Sequence, residues 1–272
     1  MLFMLLRILS PLVYLVSAVY FFFYFSKRQK GSLNIANKFN ILAIGVHLML
    51  LIVLTVSTGH LPLTGIFKAL STFMFFFAIL NKFFVREIDD YSLGLFYAVI
   101  LFIFQSISMI FISISTTLPS VLTERLFEIH VIINLIGYAA FSSAFLVSLM
   151  YILLFHEIKS KKLGYFYDRL PSLDYLERIN YQAIVVGFIF ITVGIISGSF
   201  TGNSAWGKYW DWDPKLISVV ITWVFYGLAI LGKKNYRWHG KRMSYISLIG
   251  FLWIIFSMLV ITRYFSGIHS FN

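Results

Sequence analysis

The stretch "IHVIINLIGYAAFSSAFLVSLMYILLF" occupies residues 129–155 and contains no Asp, Glu, Lys or Arg. About 20 apolar residues let a helix cross the hydrocarbon core of a bilayer, so this stretch is long enough to extend beyond it. Seven further apolar runs lie near residues 5–25, 39–57, 65–81, 93–116, 181–200, 215–231 and 243–264. The sequence therefore predicts an all-α integral membrane protein with about eight transmembrane helices.

The composition supports this fold class. Of the 272 residues, 60% are hydrophobic and only 12% are charged, and a soluble domain of this length has too little interior to bury so much apolar surface. The absence of cysteine excludes disulfides, thiolate metal sites and thiol redox chemistry. The first run is followed, not preceded, by its basic cluster, which favours a retained span over a signal peptide. We expect a single polytopic membrane domain over residues 1–272.

The distribution of basic residues predicts the orientation. The loops after runs 1, 3, 5 and 7 hold 16 of the 22 Lys and Arg residues, and such loops usually face the cytoplasm. Both termini should then lie on the outer, extracytoplasmic face of the plasma or inner membrane. This bias accounts for the net charge of +11 without a nucleic-acid partner.

This topology predicts that several unusual residues share the outer face. The segment "WGKYWDWDP" (206–214) lies between runs 6 and 7, His60 follows run 2, His130 begins run 5 and His269 follows run 8. Imidazole is a good axial ligand for haem iron, and indole rings can pack against a planar macrocycle. Nearby acidic residues could orient an imidazole or bind the backbone amides of the loop.

Each of these features has a simpler explanation. Tryptophans concentrate at membrane interfaces as anchors, and a single interfacial His is more often a hydrogen-bonding residue than a ligand. His47, inside run 2, is a functional candidate by position, yet a neutral His bonded to a neighbouring helix is about as well supported. After run 5, "LPSLDYLERINYQ" predicts an amphipathic helix capped by Ser172, with Leu173 and Leu176 facing the membrane.

The segment "AWGKYWDWDPK" (205–215) resembles the tryptophan-rich, WWD-type signature of the haem-handling proteins of cytochrome c biogenesis, in particular the CcsA (ResC) branch of system II. Three other segments are similar to that branch: "GHLPLTGIFKALSTF" (59–73), "FEIHVIINLIGYAAF" (127–141) and "FSGIHSF" (265–271). The similarity covers most of the chain and includes the eight-span layout. The tryptophan signature is specific, whereas the two histidine segments are much less so.

The resemblance implies a haem-binding subunit of a cytochrome c synthase, with a haem-handling core over about 117–272 and a tryptophan-rich loop over 201–215. Haem b would be cargo, bound by His130 and His269 as axial ligands. A CcsB (ResB) membrane protein would be the partner, and haem vinyl groups would be joined to the cysteines of apocytochrome c CxxCH motifs. The residues matching the family's loop are Trp206, Trp210, Trp212, Asp213 and Pro214.

Two departures from the family leave an alternative open. Leu216 replaces an acidic residue that usually follows "WDPK", and Leu231 lies about where the family has a histidine in span 7. Both favour a HemX-like membrane protein that regulates haem biosynthesis, whereas the intact tryptophan segment favours the synthase. No catalytic acid–base pair is visible, so we expect a component of a haem lyase complex without a conventional active site. A transporter is poorly supported, because the runs carry few ionisable residues.

Overall fold

The computed structural model of the chain describes residues 1–85, 92–113, 125–161, 164–210 and 212–261. Every regular element within these ranges is helical. The helices are α1 (Leu2–Lys27), α2 (Lys30–Thr58), α3 (Ile66–Phe84), α4 (Leu93–Phe111), α5 (Arg125–Ser160), α6 (Tyr165–Arg169), α7 (Leu173–Trp206), α8 (Pro214–Tyr236) and α9 (Lys241–Phe256), the last of which continues as a π-helical turn (Ser257–Ile261).

Eight of these helices, all except the short α6, are long and apolar enough to cross a membrane. This confirms the predicted number of spans and makes the chain a multi-pass membrane protein. The ends of the helices differ from the ends of the apolar runs in the sequence. Helices α5 and α7 extend well past them into polar sequence, because backbone hydrogen bonding continues until a residue such as Gly207, in the left-handed conformation at φ 70°, ends the helix.

The prediction of a separate amphipathic helix after run 5 is wrong, because the segment from Leu173 is the first part of α7. Ser172 does occupy the N-cap position of α7, but its side chain makes no capping hydrogen bond. From Leu173 onward no Pro or Gly interrupts the sequence until Gly187, so the segment continues directly into the membrane span. Leu176 is fully buried within the protein instead of facing the membrane, because it packs as part of that continuous helix.

Packing divides the described chain into two compact units. The first comprises Met1–Glu128 with Asp168–Pro171, and within it α1 packs mainly against α2 and α4 while α3 packs on α4. Apolar side chains of α1, α2 and α4, among them Leu6, Leu50 and Met109, form one buried cluster. Arg28, at the end of α1, connects this helix to the start of α4, because its guanidinium donates to Ser92 Oγ over 2.7 Å.

A chain of buried polar side chains crosses the first unit. The Tyr14 hydroxyl lies 3.1 Å from His47 Nδ1, and His47 Nε2 lies 3.0 Å from Ser71 Oγ. Ser71 donates to Gln105 Oε1 over 3.2 Å, and Gln105 Nε2 donates to Ser10 Oγ over 3.1 Å. Because the Ser71 proton is used, His47 donates from Nε2 and accepts at Nδ1. The chain links α1, α2, α3 and α4.

The second unit comprises Ile129–Tyr167 and Ser172–Asn272, and its described core is built from α5, α7, α8 and α9. The rings of Phe141 and Tyr226 stack with centroids 3.8 Å apart. Gly187 faces Phe141 so closely that a Cβ there would lie 2.4 Å from the ring. Trp223 Nε1 donates to Thr192 Oγ1 over 2.8 Å, which joins α8 to α7. These contacts join α5, α7 and α8 within the unit.

Candidate functional site

The tryptophan-rich connection is shorter than the loop expected over 201–215. Helix α7 continues to Trp206 and α8 begins at Pro214, so residues 207–213 link the two helices, and the described residues among them, 207–210 and 212–213, are not helical. Trp210 is 38% exposed and Trp212 is 77% exposed, and their rings meet edge to face with centroids 6.0 Å apart. Asp211 and the Trp206 side chain lie outside the described part of the chain. The connection therefore presents indole surface outward instead of burying it.

Asp213 and Pro214 set the start of α8. Asp213 is the N-cap residue, and its Oδ1 accepts the backbone N–H of Lys215 over 2.8 Å. Pro214 occupies the first helical turn, where a missing N–H costs nothing, and a carboxylate at a helix N-terminus is favoured by the helix dipole. Of the two roles considered for acidic residues in this loop, binding its own backbone amides is confirmed for Asp213.

His130 lies one turn into α5 and is held by α7. Its Nδ1 is 3.1 Å from the Gly194 carbonyl oxygen and 3.3 Å from Ser197 Oγ. A carbonyl oxygen can only accept a hydrogen bond, so Nδ1 carries the proton and donates it to Gly194. In a neutral imidazole the lone pair then belongs to Nε2. A histidine held in this way is oriented to bind a metal through Nε2.

Two further residues surround the imidazole. Asn134, one turn along α5, donates from Nδ2 to the His130 carbonyl over 2.8 Å, and the same nitrogen lies 3.2 Å from His130 Nδ1 and 3.3 Å from Nε2. The positive charge of Lys215, in the first turn of α8, acts on the His130 ring. Lys215 directly follows Asp213 and Pro214, so the end of the tryptophan-rich connection is within electrostatic reach of His130. His269 lies outside the described residues, so its pairing with His130 stays a prediction.

His60 belongs to a separate contact in the first unit. Its Nδ1 lies 3.9 Å from Glu128 Oε1, and the same oxygen accepts the Leu61 backbone N–H over 2.8 Å. Glu128 is two residues before His130 in α5. This carboxylate therefore ties the link between α2 and α3 to the first turn of α5, and His60 lies beside it.

The remaining histidines lie elsewhere. His239 follows α8, where Glu177 Oε1 accepts from its ring over 3.1 Å and from Lys233 Nζ over 3.0 Å. Glu177 Oε2 also accepts the Gly240 N–H over 2.7 Å. These three hydrogen bonds to Glu177 hold the end of α8 and the α8–α9 link against α7. An open pocket of about 370 Å³ lies beside them. His156 is exposed near the end of α5 and contacts the ring of Phe155.

Sequence reasoning missed the residues that hold His130. Gly194 and Gly198 are four residues apart in an apolar span, a spacing that lets helices approach closely, and His130 and Asn134 share one face of α5 by the same spacing. These two signals were present in the sequence. The Gly194 carbonyl that accepts the His130 hydrogen bond left no such signal, because every residue type supplies the same backbone carbonyl.

The fold and this site define a class: a multi-pass helical membrane protein with an oriented imidazole beside an exposed tryptophan-rich link. A family model described as "Cytochrome C assembly protein" matches residues 5–269. The chain belongs to this family, within which it is of the CcsA type.

Curated relatives with the description "Cytochrome c biogenesis protein CcsA" are similar over different lengths. The protein from Lotus japonicus is 27% identical over 256 residues, which cover 79% of each chain. The protein from Mesostigma viride is 25% identical over 237 residues, 78% of each chain. The protein from Chlamydomonas reinhardtii is 33% identical over 145 residues, which are 53% of this chain and only 39% of that relative.

A solved structure shares the fold. The protein described as "Cytochrome c Heme Lyase CcmF" superposes with a TM-score of 0.62 at 12% identity, and covers 92% of this chain but 45% of its own. At that identity the likeness concerns the arrangement of helices alone. The present chain thus spans less than half of that larger protein.

Proposed function

We propose that this chain is a haem-presenting subunit of a cytochrome c synthase, which holds haem b as cargo on the extracytoplasmic face. The observation that carries the proposal is the His130 imidazole. Its Nδ1–H is bound to the Gly194 carbonyl at 3.1 Å, which directs the Nε2 lone pair to a ligand. Because the chain belongs to the cytochrome c assembly family, haem iron is the metal that we expect this nitrogen to bind.

The tryptophan-rich connection supplies the rest of the site. The rings of Trp206, Trp210 and Trp212 would pack against the porphyrin faces, and the exposure of the last two supports this use. Asp213 and Pro214 hold the exit of the connection by starting α8. His269 is proposed as the second axial ligand on the resemblance of its segment, which would make the iron six-coordinate.

The chemistry needs orientation more than acid–base catalysis. Each thioether forms when a cysteine thiol of an apocytochrome CxxCH motif adds to a haem vinyl group: a sulfur–carbon bond replaces the vinyl double bond, and the thiol proton goes to the other vinyl carbon. Both thiols come from the apocytochrome, since this chain has no cysteine. Its residues would hold the haem still while the thiols approach, which is a large contribution to rate.

Partner and topology complete the proposal. A CcsB (ResB)-type membrane protein would form the synthase with this chain in the plasma or inner membrane, with both termini and residues 207–213 on the outer side. A reporter that is active only outside the cytoplasm should be active when fused after residue 272 or inserted near Gly202. The same reporter inserted near Lys161 should be silent. The reverse pattern would remove the outer haem site.

The test of the function is co-expression with a CcsB-type partner in cells that lack their own cytochrome c assembly system. The pair should restore covalently attached haem on an apocytochrome with a CxxCH motif, and the purified pair should carry haem. Cells expressing the partner alone are the control. Haem-free protein together with no attached haem would contradict the proposal.

A HemX-like regulator of haem biosynthesis is the second candidate. It is favoured by Leu231, an exposed apolar side chain on α8 where the family usually has a histidine, and by Leu216. The same cells distinguish the two functions. A regulator would change the cellular amount of haem or of haem-synthesis enzymes without a partner, and it would not restore covalent attachment.

A further inference from the structure

We infer that Gly194 and Gly198 of α7 are positioning residues for the haem ligand: the Gly194 carbonyl holds the Nδ1–H of His130, and the missing side chain of Gly198 leaves the space that the imidazole occupies. The inference rests on the proposed function, because it concerns how His130 would be presented to iron. It adds two residues whose chemistry contributes no ligand atom.

The hydrogen bonds assign the tautomer. The Gly194 oxygen lies 3.1 Å from Nδ1 and also accepts from Ser197 Oγ over 3.0 Å. Since the Ser197 proton is directed to Gly194, its oxygen is free to accept a share of the same Nδ1–H at 3.3 Å. Two acceptors, the Gly194 carbonyl and Ser197 Oγ, therefore lie against Nδ1. The carbonyl can only accept, so His130 carries its proton on Nδ1.

The space beside the ring depends on glycine. A Cβ on Gly198 would lie 2.6 Å from His130 Cε1 and 3.1 Å from Nδ1, and the first of these distances is too short for the ring to stay where it is. Gly194 provides the matching space one turn earlier, where a Cβ would lie 2.5 Å from Asn134 Oδ1. Residues 130 and 134 of α5 thus fit against residues 198 and 194 of α7. An alanine at Gly198 would push the imidazole off its acceptor.

Asn134 has a different part in this arrangement. Its amide nitrogen donates to the His130 carbonyl oxygen over 2.8 Å and lies almost equally far from Nδ1 (3.2 Å) and Nε2 (3.3 Å). Asn134 therefore packs beside the ring without selecting either nitrogen, and the tautomer is assigned by the Gly194 carbonyl. That contact to Nδ1 would remain when Nε2 binds iron, and hydrogen bonding of this kind fixes the ring and increases the basicity of the ligand nitrogen.

The first test uses the haem-free protein. Nitrogen-15 NMR of histidine-labelled protein in detergent, with His130 assigned by its loss in His130→Gln, should show a proton on Nδ1 in the wild type. Gly198→Ala should change this signal to an Nε2–H or mixed form. Gly187→Ala is the matched control, because Gly187 lies on the same helix about three turns before Gly198 and its Cβ would meet the ring of Phe141 instead of His130. An Nε2–H signal for His130 in the wild type would overturn the inference whatever the variants do.

The second test measures haem. At equal membrane abundance, Gly198→Ala should retain less haem by on the order of ten-fold, with partial recovery on adding imidazole, while Gly187→Ala retains the wild-type amount per folded protein. If Gly198→Ala keeps wild-type haem and His130→Gly loses it, the inference fails and the proposed function stands. If His130→Gly itself keeps its haem and its spectrum, the ligand assignment in the proposed function fails.

Discussion

The two units each place a histidine within a membrane-spanning helix, and they treat its imidazole in opposite ways. In the first unit, His47 is fully buried and uses both ring nitrogens on side chains of other helices, Tyr14 and Ser71. In the second unit, His130 gives its Nδ1 proton to a backbone carbonyl and keeps a lone pair on Nε2. The first imidazole joins helices, whereas the second is oriented for a ligand.

The difference shows that the partners of a histidine are more informative than its position in the membrane. Both residues are ionisable groups in apolar helices, which is the usual mark of function. Yet each nitrogen of His47 belongs to a directed chain of hydrogen bonds that ends at Ser10. Such a chain stabilises the bundle and specifies which faces of α1, α2, α3 and α4 meet.

The largest effect is expected from changing Trp206, Trp210 and Trp212 together to Ala. The variant should insert normally and lose nearly all haem and cytochrome c assembly, because it removes the flat surface at the site. Changing Phe22, Phe83 and Phe104, exposed aromatic residues of the first unit, is the control and should leave haem unchanged. Haem content per protein, from the visible spectrum, is the measurement.

Two outcomes would break this comparison. An equal loss of membrane abundance in the triple tryptophan variant would mean that the rings are interfacial anchors. Normal haem content with all three rings removed would exclude the connection from the haem site.

The next effect concerns stability without haem. His47→Leu leaves the Tyr14 hydroxyl and the Ser71 hydroxyl without their buried partner, which should cost about 1–3 kcal/mol. The melting temperature in detergent should fall, while haem content per folded protein stays at the wild-type value. His156→Leu, at an exposed position, is the control. Selective loss of haem in His47→Leu at unchanged stability would assign His47 to the haem route instead.

A smaller effect is expected at Asp213, where two substitutions distinguish its capping hydrogen bond from its negative charge. Asp213→Ala removes the bond to the Lys215 N–H and should cost about 1 kcal/mol of stability, with some loss of haem because the tryptophan-rich connection loses its fixed end. Asp213→Asn keeps a good N-cap and should be close to the wild type in melting temperature. If Asp213→Asn loses as much haem as Asp213→Ala, the negative charge acts on the site directly, and the capping role is insufficient.

The smallest effect is expected at Glu128. Glu128→Gln keeps an oxygen acceptor for the Leu61 N–H and removes only the charge near His60, a partly exposed pair that contributes at most about 1 kcal/mol. Melting temperature and haem content should both be near the wild type. Glu128→Ala, which removes the acceptor as well, should be the more harmful change. The opposite order would show that the His60 ion pair, not the backbone contact, holds the start of α5.

The sequence predicted the fold well, because the bilayer imposes a length and a composition on each span that hydropathy reads directly. The sequence did not predict the helix ends correctly where helices continue through polar segments. The segment from Leu173 looked like an interfacial helix because its leucines are spaced along one face, but the absence of a helix-ending residue makes it part of α7, and Leu176 is buried by the protein itself.

The candidate site was predictable in its residue types and not in its arrangement. The Asp213–Pro214 pair is a recognisable start of a helix, and the tryptophan segment stands out by composition. The carbonyl of Gly194 was invisible, because a backbone acceptor leaves no mark in residue type. Similarly, His47 and His130 differ only in the neighbours that tertiary packing brings to them, and one sequence does not contain those distances.

The most direct measurement of the central claim is the visible spectrum of the purified haem-bound protein and of His130→Gly, with His156→Gly as control. The wild type and the control should show the Soret and α/β bands of low-spin, six-coordinate haem. His130→Gly should lose haem or become five-coordinate, and added imidazole should restore the low-spin spectrum in part by filling the position of the missing ring. A His130→Gly protein with full haem content and an unchanged low-spin spectrum would contradict the assignment of His130 as an iron ligand.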